Sequence, residues 1–487
     1  MSKLSIRHVW LALTVAAAFI GPASSPIGLP DLYWTLLTGV WISNHRALLD
    51  TDPFTSAPHV VGPILNVQWL ADLIFHGLDA LGGLNMVVTG TAVVVATTYA
   101  LLLAAALTAS GHLRLSCVVV LIAYVLGSSN LSPRPQTLAY PLFALFLLAV
   151  MRAEWRKDTR LLWLLPPATA LWANLHGSFF TGFVLLGCVA GGRFLSTGKV
   201  RAARPHLIAL GACLLASVVN PYGPGALVYV ATIGSNPVIR DLVTEWAPTT
   251  ISGLDGILFF CSVVLLGSLA LKSRLRLTIT EILLLLAFGY LAWSSVRAIV
   301  WWGLVLAPVL ARLLGGVLPN VQPSGRDRPA INGLILAGIA LLAVISLPWN
   351  KAALTILPAN KLGVFSDDTP VGAGEYLRTH DPPPTGLMLN DQNWGGYLEW
   401  AAWPRHQVFL DGRFELHPPQ VWFDYLDVVF PSARWPALLE KYDISYLVLS
   451  KEEHADLVGE VRQTSNWRLD YEDDQAVVFS RIPSTGP

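Results

Sequence analysis

Residues 84–109 read LNMVVTGTAVVVATTYALLLAAALTA, 26 residues without a single charged side chain. As a helix rising about 1.5 Å per residue, this run is long enough to cross the roughly 30 Å hydrocarbon core of a bilayer. Apolar runs of similar character lie at 115–130, 136–151, 160–175, 177–192, 206–220, 254–271, 279–295, 298–313 and 330–348. The N-terminus, with Lys3, Arg7 and His8 ahead of an apolar run over residues 9–20, has the form of a signal peptide or of a first span. An uncleaved helix is favoured because the other segments need a bundle partner. The expectation is an all-α polytopic membrane bundle of about eleven spans.

The composition agrees. The chain is 54% hydrophobic and 13% charged, with a mean hydropathy of +0.54, which excludes a cytosolic enzyme. Its net charge of zero hides a division, since residues 351–487 carry 11 of the 32 Lys+Arg but 20 of the 32 Asp+Glu. With the N-terminus inside, 17 cations fall in inner loops and only Arg46, Arg134, Arg240 and Arg297 in the outer loops of residues 1–350. That asymmetry follows the positive-inside rule and predicts a multi-pass protein of the cytoplasmic (inner) membrane whose C-terminal domain is extracytoplasmic. Candidate strands at 386–389, 407–410, 444–450 and 476–480 and helices at 371–379, 434–442 and 452–462 make that domain a small α/β unit, with the boundary between 349 and 350.

Two outer loops, 25–83 and 221–253, are too long to be simple connectors. Within the first, 32–42 and 68–81 have the pattern of amphipathic helices at the interface. Carboxylates gather on the outer side. Asp31 opens Asp31-Leu32-Tyr33-Trp34 close to the membrane surface, where it suits a general base taking a proton from an acceptor hydroxyl, or simply caps the helix it starts. Asp50 and Asp52 share one turn before Pro53, suited to a hard cation, a substrate hydroxyl or an Asx-type turn. Glu245 in the second loop is a further positioning candidate.

Arg134, bracketed by Pro133 and Pro135, and Arg297 at the outer end of another span have the planar fork that recognises phosphate, with headgroup anchoring as the alternative. Asn174 and His176 occupy a short outer turn, where His176 is suited to acceptor binding, proton transfer or a helix-end hydrogen bond. The 18 tryptophans are mainly interfacial belt residues, though Trp34, Trp69 and Trp246 lie beside the outer carboxylates and suit stacking on a sugar. Cys117, Cys188, Cys213 and Cys261 all lie in apolar runs and serve packing. A phosphate-cradling glycine loop, a serine elbow and a CxxC pair are all missing from the sequence, and no nucleic-acid partner is expected.

Taken together, Asp31-Leu32-Tyr33-Trp34 with Gly39, Thr51-Asp52-Pro53-Phe54, Gln68-Trp69-Leu70-Ala71, Arg134-Pro135-Gln136, Asn174-Leu175-His176-Gly177, Asn220-Pro221-Tyr222-Gly223 and Glu245-Trp246 resemble a bacterial branch of the GT-C glycosyltransferase superfamily. That resemblance spans nearly the whole chain. It implies a polyprenyl-linked sugar donor, an acceptor glycan, lipid or protein on the outer face, and an essential acidic residue soon after the first span, matched here by Asp31. It leaves a divalent cation open, because some members use one, and Asp50 with Asp52 would be its ligands. Asn393-Trp394-Gly395-Gly396-Tyr397 and Val408-Phe409-Leu410-Asp411-Gly412-Arg413 are similar to the acceptor-motif region of oligosaccharyltransferases, although its second Trp and its Asp are missing. The resemblance thus offers Trp394, Tyr397, Asp411 and Arg413 as an acceptor surface. Alternative functions are a lipid or polysaccharide transporter and a non-catalytic glycolipid-binding scaffold.

Overall fold

The computed structural model of the chain describes residues 4–28, 31–234, 237–318, 327–353 and 363–482. Lys3, Arg326 and most of the 319–329 linker lie outside the described residues. In chain order the helices of residues 1–197 are α1 (Ile6–Ser24), α2 (Asp31–His45), α3 (Trp69–Ser110), α4 (Leu113–Gly127), α5 (Pro135–Met151), α6 (Leu165–Trp172) and α7 (Phe180–Thr197). These are followed by α8 (Val200–Ala216), α9 (Gly225–Ile233), α10 (Pro237–Leu242), α11 (Leu254–Lys272), α12 (Ile279–Ser294), α13 (Ile299–Val317) and α14 (Pro329–Ile345). Each of the eleven segments read as spans is helical. Among the described residues seven helices are long and apolar enough to cross a membrane, and α12 and α14 are shorter apolar helices.

The double glycine in α3 separates its two readings. Gly83 has φ +65°, in the left-handed region that favours glycine, and the helix breaks there. The arm before the break carries Asp72, His76 and Asp79, whereas the arm after it is the uncharged run of residues 84–109.

The chain forms two compact units, Met1–Pro26 with Leu78–Gly234 and Arg240–Val364, and Ile27–Gly77 with Ser235–Ile239 and Phe365–Pro487. The first outer loop, assigned from sequence to the membrane module, therefore contributes residues 27–77 to the unit that holds the C-terminal residues. The reason is pairing: backbone N–H groups of Ser56 and Ala57 donate to the carbonyls of Val408 and Phe409, and Val408 N–H donates to Phe54.

In the first unit α13 is apolar on all sides and buried almost throughout, as a helix at the centre of a bundle should be. It packs against α4, α11 and α12, while α7 packs against α8 and α12. Charges collect at the helix ends. At one end Arg312 donates to Glu281, lies 5.2 Å from the Trp155 ring centroid and reaches the Arg276 carbonyl, while Arg193 lies 3.4 Å from Glu154. Asn332 donates to the Leu4 carbonyl and Asp327 accepts from the Ile6 N–H, joining the starts of α1 and α14. These segments are the ones whose cations were counted as inner. Residues 130–136, 245–249 and 293–297 associate with one another at other helix ends.

The second unit holds a four-stranded sheet in the order β1 (Leu387–Asn390), β2 (Ile444–Ser450), β4 (Ala476–Arg481), β3 (Trp467–Glu472). β1 and β2 are parallel, and the remaining pairs are antiparallel. Residues 407–410 are not a sheet strand; they hold a single bridge to Thr55. β3 was not foreseen because it is a largely exposed edge with a polar sequence. Around the sheet lie α15 (Val371–Thr379), α16 (Gly395–Ala402), α17 (Pro419–Val429), α18 (Trp435–Lys441) and α19 (Ala455–Gln463). α2 packs against α16, which accounts for its many buried residues.

A Cβ on Gly395 would sit 2.2 Å from the Leu410 carbonyl oxygen and 2.7 Å from the Asp411 Cα, both backbone atoms that cannot yield cheaply. Gly395→Ala should therefore lower stability by about 1–3 kcal/mol. Gly459→Ala, in a helix position with nothing within 4 Å of the added carbon, should be neutral or slightly stabilising. Thermal melts of the detergent-solubilised protein would check both, and equal melting of Gly395→Ala and wild type would contradict the close approach.

Candidate functional site

In the second unit, Asn390 at the end of β1 is fully buried and works as a backbone clamp. Its Oδ1 accepts from Phe409 N–H at 2.7 Å, and its Nδ2 donates to the Leu410 carbonyl at 2.9 Å. The clamp delivers Asp411 into a tight turn in which Asp411 Oδ1 accepts the Arg413 N–H at 2.7 Å.

Arg413 is the hub of this turn. Its Nε donates to Asp411 Oδ2 at 2.6 Å, Nη1 to Asp52 Oδ1 at 2.9 Å and Nη2 to Glu399 Oε1 at 3.2 Å. Its guanidinium lies 5.5 Å from the Trp34 ring centroid and 5.7 Å from that of Phe54. The carboxylates it joins come from the first outer loop, α16 and the Asp411 turn, and their side chains are fully buried.

The electrostatics divides the carboxyls into different protonation states. Burial alone would raise the Asp52 pKa, but Arg413, with hydrogen bonds from His59 and Thr55, holds it well below the usual carboxylate range. Glu399 goes the other way. Burial first, and then the charge of Asp411, push its pKa well above the ordinary value, which favours the protonated form. Asp72 lies in the same unit, with Oδ2 bonded to Asn66 at 2.6 Å and a buried Oδ1 that has no hydrogen-bond partner.

Asp31 is the first residue of α2 and is half-buried. Its Oδ1 lies 3.4 Å from where a Cβ on Gly412 would stand, so the carboxylate sits against the Asp411-Gly412-Arg413 turn. Asp50 is exposed and does not converge with Asp52, whose two oxygens are engaged by Arg413, Thr55 and His59. The pair thus does not form the cation site suggested by its spacing. Trp394, Tyr397, Asp411 and Arg413 are all under a tenth exposed, so they line the interior of this unit rather than an open acceptor surface. Tyr397 stands edge-on to Tyr33 at 5.1 Å. Glu399 and Asn390 were missed in the sequence, where both sit in apolar surroundings without a motif of their own.

In the first unit Arg134 is fully buried, not lipid-facing. Its Nη1 donates to both Glu245 oxygens, at 3.0 and 2.9 Å, and Nη2 donates to Asn130. Arg297 Nη1 lies 3.7 Å from Glu245 Oε2, and its Nε donates to Gln136. The Glu245 pKa, which burial would raise, is brought below normal by Arg134 and then by Arg297. His176 begins the short turn Gly177–Phe179, its Nδ1 accepting the Ser178 N–H at 3.1 Å. That bond leaves Nδ1 unprotonated and puts the ring proton on Nε2.

Structure comparison finds this architecture in solved proteins. The apo oligosaccharyltransferase of Archaeoglobus fulgidus matches 99% of this chain and 75% of its own, with a TM-score of 0.57 and 12% identity. ArnT from Cupriavidus metallidurans, bound to undecaprenyl phosphate, matches 99% of both chains with a TM-score of 0.53 and 13% identity. The arabinofuranosyltransferase AftD from Mycobacteria matches 99% of this chain, which spans 42% of AftD, with a TM-score of 0.55 and 16% identity. No protein-family model matches the sequence, and no curated protein matches it in sequence. The chain has the fold of the GT-C membrane glycosyltransferases.

The protonated state of Glu399 has a measurable consequence. A carboxyl whose pKa is higher folded than unfolded, where it is about 4.3, stabilises the fold fully below that value and progressively less as pH rises through its folded pKa. Glu399→Gln removes this dependence while keeping a hydrogen-bonding amide. Its melting temperature relative to wild type should rise as pH climbs above about 4.3, the unfolded value, and continue rising toward the raised folded pKa. Asp411→Asn should instead be destabilising throughout, because it leaves Arg413 short of its nearest counter-charge. A pH-independent difference between Glu399→Gln and wild type would show that Glu399 is ionised.

Proposed function

We propose that the protein is a membrane glycosyltransferase that moves a sugar or short glycan from a polyprenyl-linked donor to an acceptor on the outer face of the cytoplasmic membrane. The observation that carries this reading is the shared fold over 99% of the chain with three glycosyltransferases, one of them holding undecaprenyl phosphate. Asp31 is the general base. It opens a helix close after the first span, and its Oδ1 faces the Asp411-Gly412-Arg413 turn. As base it takes the acceptor hydroxyl proton while the acceptor oxygen attacks the anomeric carbon and the polyprenyl phosphate departs.

Arg134 and Arg297 serve the donor phosphate. They share one carboxylate, Glu245, which contacts both guanidinium groups at 2.9 and 3.7 Å. A phosphate has the charge and oxygen geometry to take that carboxylate's place. The neutral His176, with its Nε2–H, is a further donor on this side. The inner membrane and an outside location for residues 350–487 are supported by the 17 cations of the inner loops against four in the outer loops.

Membranes containing the protein, supplied with labelled polyprenyl-phosphate sugars and with extracted lipid and protein acceptors, should transfer label. Asp31→Asn should reduce transfer by about 10²- to 10⁴-fold, the usual worth of a general base, with donor binding intact. As a helix cap Asn would serve as well as Asp, so retained activity would remove Asp31 from the chemistry. Arg297→Lys should raise the KM for donor more than it lowers kcat, since charge remains and the bidentate fork is lost. Donor binding without transfer by the wild type would favour the scaffold reading.

Orientation has its own check. In a variant lacking the native cysteines, Glu452→Cys, an exposed position, should react with a membrane-impermeant thiol reagent added outside intact cells. Labelling only after the cytoplasm is opened would overturn the topology.

A further inference from the structure

β1 and β2 are parallel neighbours, and their carboxyl ends lead into turns that place three side chains together: Asp391, Glu453 and His454. Asp391 directly follows β1 and donates its N–H to the Val448 carbonyl of β2 at 2.9 Å. His454 precedes α19, and its N–H donates to the Ser450 carbonyl at the end of β2 at 3.1 Å. The carboxyl edge of parallel strands is where open α/β sheets place their ligands.

We propose that Asp391, Glu453 and His454 form a binding site for a divalent transition-metal cation of the zinc type. One ligand atom from each residue lies within 4.8 Å of the others. His454 Nε2 and Asp391 Oδ2 are 3.4 Å apart, which is the edge of a tetrahedron with bonds of about 2.1 Å. Asp391 is 1% exposed and His454 6%, and Asp391 Oδ2 and both His454 ring nitrogens lack hydrogen-bond partners. Buried polar atoms without partners are costly, and a cation satisfies Oδ2 and Nε2 together. The other Asp391 oxygen is held by Asn393 N–H at 2.9 Å, which aims Oδ2 at the histidine.

The third ligand supplies access. Glu453 is exposed, bonded only loosely to Asn393 Nδ2 at 3.2 Å, and its carboxylate can close on an ion arriving from solvent. Two carboxylates and one imidazole make a mixed O/N set that suits Zn2+ and leaves a fourth position for water or a substrate oxygen. Mg2+ and Ca2+ prefer all-oxygen shells and fit poorly. The ion would tie the turn after β1 to the turn after β2. None of these residues takes part in the Asp31 chemistry, so the site stands or falls independently of that reading.

The test uses the full-length protein in detergent, stripped with EDTA and titrated with Zn2+, metal content being measured after gel filtration and melting followed in parallel. Wild type should retain one Zn2+ per chain and melt at a higher temperature when loaded, with Mg2+ and Ca2+ giving neither effect. Glu453→Gln, at an exposed position that leaves the fold undisturbed, should melt like unloaded wild type and bind Zn2+ about 10- to 100-fold more weakly, the loss typical even of a supporting ligand. His454→Asn should abolish retention. Failure of wild type to retain stoichiometric Zn2+, wild-type affinity in Glu453→Gln, or equal retention of Mg2+ would each overturn the assignment.

Discussion

Arg413 is buried, and a buried guanidinium is tolerated only where carboxylates meet its five fixed N–H donors. Asp52 comes from the first outer loop, Glu399 from α16 and Asp411 from the turn clamped by Asn390, and these three segments reach the same cation from separate parts of the chain. Satisfying it couples residues 50–57 to residues 399–413, and the backbone pairing of Thr55, Ser56 and Ala57 with 408–409 follows the same line. Three carboxyls share one guanidinium, and burial with the charge of Asp411 pushes the Glu399 pKa well above its ordinary value, favouring its protonated form.

The first unit obeys a different constraint. Its helices are apolar over long runs, so charge is confined to their ends, and two of the buried end-charges are paired, Arg312 with Glu281 and Arg134 with Glu245. Lone charges at such depth would be expensive. The Arg134–Glu245–Arg297 group differs from the Arg312–Glu281 pair in having two cations on one carboxylate. The first group therefore carries a net positive charge, whereas the Arg312 pair is neutral.

Asp31 opens α2 and faces the Asp411-Gly412-Arg413 turn. Its position at the head of α2 depends on α2 packing against α16, and on Gly412 bringing no side chain between Asp31 and the turn.

Much of the fold was legible in the sequence because its physical basis is local. Membrane spans announce themselves by uninterrupted apolar length, Gly82-Gly83 marks the break in α3, and β1, β2 and β4 are short buried apolar strands between polar turns. What stayed hidden depends on partners distant in the chain. The spacing of Asp50 and Asp52 suggested a shared ion, yet Asp52 turns to an arginine 361 residues away. Trp394 and Tyr397 have the composition of a recognition surface, yet α2 covers Tyr397 with Tyr33. Glu399 has no signature, because its protonation arises only from burial beside Asp411. The sequence by itself determined which segments are apolar, which loops carry which charge and where helices break; which carboxyl is paired and which has its pKa raised was decided by the tertiary structure, since desolvation and Coulomb energy depend on distances that chain order does not record.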